Sequence, residues 1–242
     1  MIALNDLLKE PICNSDNHAR VLHNHVQRQR ISEFMKTPEG KKSVLVGSSV
    51  HSGFSDEARL GFDVDIIIPH GVDWGGYRRT VGDIWSRARF DEVEVHSDRD
   101  ITFPEIKELV LPKRISVDES VTVRTPIIEW HLATALCRLY SKVSKGDYRS
   151  KLSYDIWALA QAEGIDTGRV QEILEHLMHD QDEYFRVKQI TVLRGIRDYT
   201  EEAVSLKWEK GKFEYPATST ATPQKVFATV NQVTSEFDFK KD

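Results

Sequence analysis

The chain has 242 residues, enough for one large domain or two modest ones, and its 40% apolar and 29% charged residues are the balance of an ordinary folded protein. A formal net charge of −5 excludes a global positive field that would draw it to nucleic acid or an anionic membrane, while leaving local basic patches open. Cys13 and Cys137 lack metal-binding spacing and read as reduced thiols. No stretch approaches a bilayer span, and the early acids of MIALNDLLKEPICNSDN do not fit a signal peptide, so a cytoplasmic protein is expected.

In chain order, residues 16–36 place Val21, Leu22, Val26, Ile31 and Phe34 at helical spacing, and TPEGKK at 37–42 supplies a break. SVLVGSSV at 43–50 reads as a strand running into a turn, with Val44, Leu45 and Val46 buried. HSGFSDEARLG is a connection or a short helix. FDVDIIIP is a second strand ended by Pro69. After GVDWGG, YRRTVGDIWSRARF suggests a helix; FDEVEVHS alternates as a half-exposed strand, with RDITF as its pairing candidate. Between 105 and 123 only VTV at 121–123 reads as a strand.

From residue 126 the period becomes helical. Thr125-Pro126 fits an N-cap followed by proline at the first helical position, and the helix that follows buries Ile128, Leu132, Ala135 and Leu139 and ends near Gly146. RSKLSYDIWALAQAEG, stopping at Gly164, and TGRVQEILEHLMHDQ are two more helices, and VKQITVLRGIRDYTEEAVSLKW is one or two. PATSTATPQ is a loop. Strands first and helices second predict an α+β fold, with an α/β core over 1–124 and a helical region over 125–242.

Two carboxylates raise the question of chemistry. Asp63 and Asp65 stand two apart ahead of Ile66-Ile67-Ile68, so an extended backbone points both to one face. Like charges at the entry to a core repel, and a bound hard cation such as Mg²⁺ offsets that cost. A solvated strand entry capped by Arg59 is the simpler alternative. The preceding strand ends in Gly47-Ser48, a small-residue turn that lets backbone amides approach a phosphate. His18, His23 and His25 are spaced i, i+5, i+7, which splits helical faces and suggests solvated histidines rather than a metal cluster.

A phosphate turn followed by a same-face Asp-x-Asp resembles the nucleotidyltransferase superfamily. More narrowly, RLGFDVDI at 59–66 is similar to the Arg-x-Ser-x-Asp-Ile-Asp-Leu string of the AbiEii/AbiGii toxin family, which includes the MenT toxins, with Gly61 in place of serine. HLATALCR at 131–138 is similar to the family's Lys-Leu-x-Ala-Ala-x-x-Arg helix: Leu132, Ala135 and Arg138 match, Thr134 replaces alanine and His131 replaces lysine. KLSYDIWAL at 151–159 resembles the later Arg/Lys-Asp-x-x-Asp helix through Lys151 and Asp155, with Leu152 at the first Asp.

The resemblance implies a nucleotidyltransferase-like mixed β-sheet core with flanking helices. It also implies Mg²⁺ (or Mn²⁺) held by Asp63 and Asp65, and an NTP substrate on Gly47 and Ser48. Arg59, His131, Arg138, Lys142 and Lys151 would contact the substrate, and Asp155 would orient the acceptor or a cation. A third carboxylate would come from an apolar-acid-apolar strand, which Val93-Glu94-Val95 fits, with Glu92, Asp100 and Asp118 as competitors. His131, Arg138 and Lys142 fall at i, i+7 and i+11, predicting one cationic helix face opposite the apolar stripe. The implied acceptor is a transfer RNA or a protein, and the implied partner a cognate antitoxin. The changes at Gly61, His131 and Leu152 support a second reading, a nucleotide-binding or regulatory protein that kept the fold and lost the chemistry.

Overall fold

The computed structural model describes residues 18–59, 61, 63–69, 71–85, 93–97, 105–112, 120–179, 189–211, 215–216, 219–235 and 237. The chain divides into two compact units, Met1–Pro126 with Phe213–Thr218, and Ile127–Lys212 with Ser219–Asp242. Among the described residues no helix is long and apolar enough to cross a membrane.

The first unit opens with α1 (His18–Met35). Ile31 and Phe34 are buried, but so are His25, Gln27 and Arg28, and polar side chains anchor this helix. The Trp85 indole donates to Gln27 Oε1 at 2.9 Å, Arg28 Nη2 to the Pro112 carbonyl at 2.8 Å, and Asn24 Nδ2 to the Gly61 carbonyl at 2.8 Å. The expectation of solvated histidines fails at His25, which is only 2% exposed; His23 is half-buried, and the side chain of His18 lies outside the described residues.

The segment expected to be a break is instead a second, short helix, α2 (Pro38–Lys42). Thr37 caps it, accepting from Gly40 N at 3.0 Å, with Pro38 in the first turn. The break is confined to Lys36-Thr37. Gly40 is obligatory there, since a Cβ would lie 2.0 Å from the Phe34 carbonyl oxygen.

Three strands form the sheet that organises this unit: β1 (Val44–Val46), β2 (Val64–Ile68) and, after α3 (Trp74–Trp85), β3 (Val93–Ser97). β2 is central, antiparallel to β1 and parallel to β3, with Asp65 opposite Val46 on one side and Glu94 on the other. The period of two then sorts the side chains. Leu45, Val64, Ile66, Ile68, Val93 and Val95 face a core completed by Phe34, Tyr77, Val81 and Trp85. The opposite face carries Val44, Val46, Ile67, Asp65, Glu94 and His96.

A separate antiparallel pair, β4 (Ile106–Leu111) and β5 (Val121–Pro126), adds Leu109, Leu111, Val121 and Val123 to that core, and β5 runs beside β1. β4 escapes sequence reading because its outward face is also apolar: Ile106 and Val110 are exposed, which blurs the alternation. RDITF lies outside the described residues.

The second unit is helical: α4 (Ile128–Val143), α5 (Ser150–Leu159), α6 (Thr167–His179), α7 (Gln189–Asp198), α8 (Glu201–Gly211) and α9 (Pro223–Ser235). The cap expected at Thr125 is corrected. Thr125 and Pro126 belong to β5, paired with Lys107 and Ile106, and the extended Ile127 is the N-cap. At the other end Gly146 takes φ +72, and Asp147 N–H to Lys142 O at 2.9 Å with Gly146 N–H to Val143 O at 2.8 Å close a Schellman turn.

α4 is packed by α5, α6 and α7, so burial wraps most of its circumference rather than one stripe. At Gly195 of α7 a Cβ would fall 2.1 Å from the Tyr140 carbonyl oxygen, the measure of how closely these two backbones approach.

Two buried phenols make this unit sensitive to alkali. Burial pushes Tyr140 up to about 12, against its hydrogen bond to Thr234, and raises Tyr199 as well. Both phenols stay neutral below pH 10, so their stabilising effect is complete there. Between pH 10 and about 12 the unfolded chain ionises Tyr140 and the folded chain does not, so stability falls by up to ~1.4 kcal/mol per pH unit for each such phenol. The denaturant midpoint should therefore be insensitive to these groups below pH 10 and drop above it, with a shallower drop in Tyr140→Phe. A midpoint held constant to pH 12 would contradict the burial.

Candidate active site

β1 ends in a turn whose first residue, Gly47, has φ +78, a left-handed conformation that strains any residue with a side chain. The chain then folds back through Ser48 and Ser49: Val50 N–H reaches Gly47 O at 3.3 Å and His51 N–H reaches Ser48 O at 3.4 Å, starting the single 3₁₀ turn His51–Gly53. Glycine is also required by space. A Cβ at 47 would stand 2.4 Å from Asp65 Oδ2. The turn and the aspartate are thus immediate neighbours, because the β1–β2 register puts Asp65 opposite Val46.

Across the parallel pairing Glu94 lies directly beside Asp65, and His96 follows two residues on, on the same face. One ligand atom from each of Asp65, Glu94 and His96 lies within 4.8 Å of the other two. Donors ~2.1 Å from one ion sit about 3–4 Å from each other, so a small closure would let the three share a cation. Two carboxylates and an imidazole are ligand chemistry suited to a divalent ion, and the residues fit one.

Asp63 stands immediately ahead of β2, exposed, and is not part of this triad. Of the third-carboxylate candidates, Glu94 is described and exposed, whereas Glu92, Asp100 and Asp118 lie outside the described residues. His96 was not singled out from sequence. The signal was present in Val93-Glu94-Val95-His96, where the alternation that selects Glu94 selects His96 too.

Behind the turn lies a small pocket of about 20 Å³, room for roughly one water molecule, lined among others by Ser48, Ser49, Ser52 and the buried residues Arg28 and Arg59. Gly61 closes its rim. A Cβ there would lie 2.7 Å from both Ser49 Cα and Ser49 N. The serine of the resembled string therefore has no room at 61 without displacing the turn. Gly61→Ser should lower stability by ~1–3 kcal/mol, the usual cost of overpacking, as measured by chemical unfolding. An unchanged midpoint would contradict the close approach.

In the helical unit the predicted cationic face of α4 is present only in part: Arg138 and Lys142 reach its surface and His131 does not. His131 is 2% exposed and meets the Trp130 ring edge-to-face at 5.3 Å; Arg138 is exposed; Lys142 is half-buried and pairs with Asp147 at 3.6 Å. α5, α6 and α7 pack against α4, and Glu129, His131 and Thr134 are buried along with its apolar residues. On α5, Lys151 is half-buried and Asp155 is 4% exposed.

A Gly-Ser turn against an aspartate of the central strand, a parallel third strand carrying Glu94, and a helical second unit make up a nucleotidyltransferase-like α+β fold. By structure the chain is similar, over 98% of its length, to 91% of MenT4, a nucleotidyltransferase toxin from Mycobacterium tuberculosis, with a TM-score of 0.58 and 12% identity. What is shared at that identity is the fold, and it is MenT-like. By sequence, the chain matches no family model and no curated protein.

Proposed function

We propose that this chain is a divalent-metal-dependent nucleotidyltransferase that moves a nucleoside monophosphate from an NTP to an RNA, such as a transfer RNA, or to a protein. The supporting observation is the contact between turn and strand: Gly47 leaves room for the Asp65 carboxylate, which lies beside Glu94. Asp65 and Glu94 would hold the ion, Mg²⁺ or Mn²⁺, with Asp63, exposed just ahead of β2, as the neighbouring carboxylate in sequence. A bound divalent ion supplies neutralisation of triphosphate charge and activation of the attacking oxygen. The backbone of Gly47 and Ser48 positions the phosphates, and Arg59 and Arg28 are buried behind the turn. In the reaction the acceptor hydroxyl oxygen attacks the α-phosphorus and gives up its proton to solvent, the bond to the β-phosphate oxygen breaks, and pyrophosphate leaves with that electron pair.

Likeness to MenT4, a toxin, extends the proposal: expression arrests growth, and a cognate antitoxin relieves it. The direct experiment incubates the intact chain with each labelled NTP, a divalent ion, and total RNA or protein. Label should enter one acceptor class and pyrophosphate should be released in equal amount. NTP binding without transfer would replace this reading with that of a regulatory nucleotide-binding protein.

A further inference from the structure

An all-oxygen magnesium site has no use for an imidazole, yet β3 places one beside the carboxylates. His96 shares the face of Glu94 by strand alternation, and the β2–β3 register brings that face alongside Asp65 and Ile67. Its Nε2 is buried while the neighbouring Glu94 side chain is 61% exposed, so the ring nitrogen is turned toward the carboxylates rather than toward water. The Nε2 to Glu94 Oε2 distance is 3.4 Å. That is longer than a good N–H···O bond, and close to the ~3 Å kept by adjacent donors around an ion with ~2.1 Å bonds.

Ligand type decides which ion such a site favours. Carboxylate oxygens suit Mg²⁺ and Mn²⁺ alike, but imidazole nitrogen adds binding for first-row transition ions and little for Mg²⁺. We propose that His96 is a metal ligand together with Asp65 and Glu94, and that it makes this site prefer a divalent first-row transition ion over Mg²⁺. The proposal rests on the metal half of the functional reading above, and adds a ligand and an ion preference to it. A cytosol rich in Mg²⁺ would then fill the site only in competition with the scarcer ion.

The test uses Mn²⁺ as the probe on the intact chain. Electron spin-echo modulation should show a ¹⁴N nucleus bonded to the bound Mn²⁺, a signature that a histidine merely hydrogen-bonded to Glu94 does not produce. His96→Ala should abolish that coupling and weaken Mn²⁺ binding by about tenfold or more, with Mg²⁺ binding changed by less than about twofold. His96→Asp, an all-oxygen triad, should raise Mg²⁺ affinity relative to Mn²⁺. Absence of ¹⁴N coupling in the unaltered chain would overturn the proposal, and so would equal losses of Mn²⁺ and Mg²⁺ binding in His96→Ala. Nitrogen-coupled Mn²⁺ without nucleotide transfer would sink the enzymatic reading and leave this one standing. Transfer with Mg²⁺ and no nitrogen ligand would do the reverse.

Discussion

Asp65→Asn is expected to lower nucleotide transfer by about 10³-fold, the equivalent of the ~4 kcal/mol that a correctly held divalent ion contributes to the transition state. The same variant should be no less stable than the unaltered chain. Asp65 and Glu94 are direct neighbours across β2 and β3, and like charges side by side on a sheet repel, so removing one charge in the absence of metal should raise stability by ~0.2–1 kcal/mol. Activity and stability thus move in opposite directions, the mark of a residue retained for chemistry. Kinetics and chemical unfolding on one preparation check both. Unchanged transfer in a folded variant would remove Asp65 from the site, and a large loss of stability would make it a structural residue.

Gly47→Ala is the second large effect, and its cause is steric. Two costs coincide at this position: the left-handed backbone, worth ~1–2 kcal/mol once a side chain is present, and a methyl group aimed at Asp65 Oδ2. The carboxylate must turn away, and displacement of a catalytic group by about 1 Å costs about 10²-fold in rate. Gly71→Ala is the matched control. Gly71 has φ +82 but nothing within 4 Å of a new Cβ, so it should show the backbone cost without the catalytic loss. Equal activity in the two variants would separate the turn from the carboxylate and contradict the geometry described here.

Much of the fold was legible because it is written in local pattern. The strands at Val44–Val46 and Val64–Ile68 are short apolar runs bounded by glycine and proline, and the α4 stripe of Ile128, Leu132, Ala135 and Leu139 has clean helical spacing. What was not legible depends on tertiary neighbours. His131 reads as a polar-face residue, but burial takes in the polar as well as the apolar side of α4. Thr125-Pro126 carries good capping chemistry, but pairing with β4 claims it for a strand. His25 reads as solvated until α1 turns its polar side inward.

The site divides along the same line. Gly47, Ser48 and Asp65 stand out because small residues and charges in apolar surroundings are conspicuous. The nearness of Gly47 to Asp65 is set by a register that no single strand encodes. His96 is the instructive omission. Its place was implied once Glu94 had been assigned a face, and only the parallel pairing with β2 shows that this face is the one holding Asp65.

In the proposed function the turn at Gly47 and the acids of β2 and β3 bind a nucleotide and a divalent ion as a unit. Calorimetry of each NTP against the intact chain, with Mn²⁺ or Mg²⁺ and then with chelator, tests it without requiring the acceptor. At least one NTP should bind only when the ion is present, and Asp65→Asn should weaken that binding by tenfold or more. Binding that is equally tight with chelator and in Asp65→Asn, or no binding of any NTP under either condition, would contradict it.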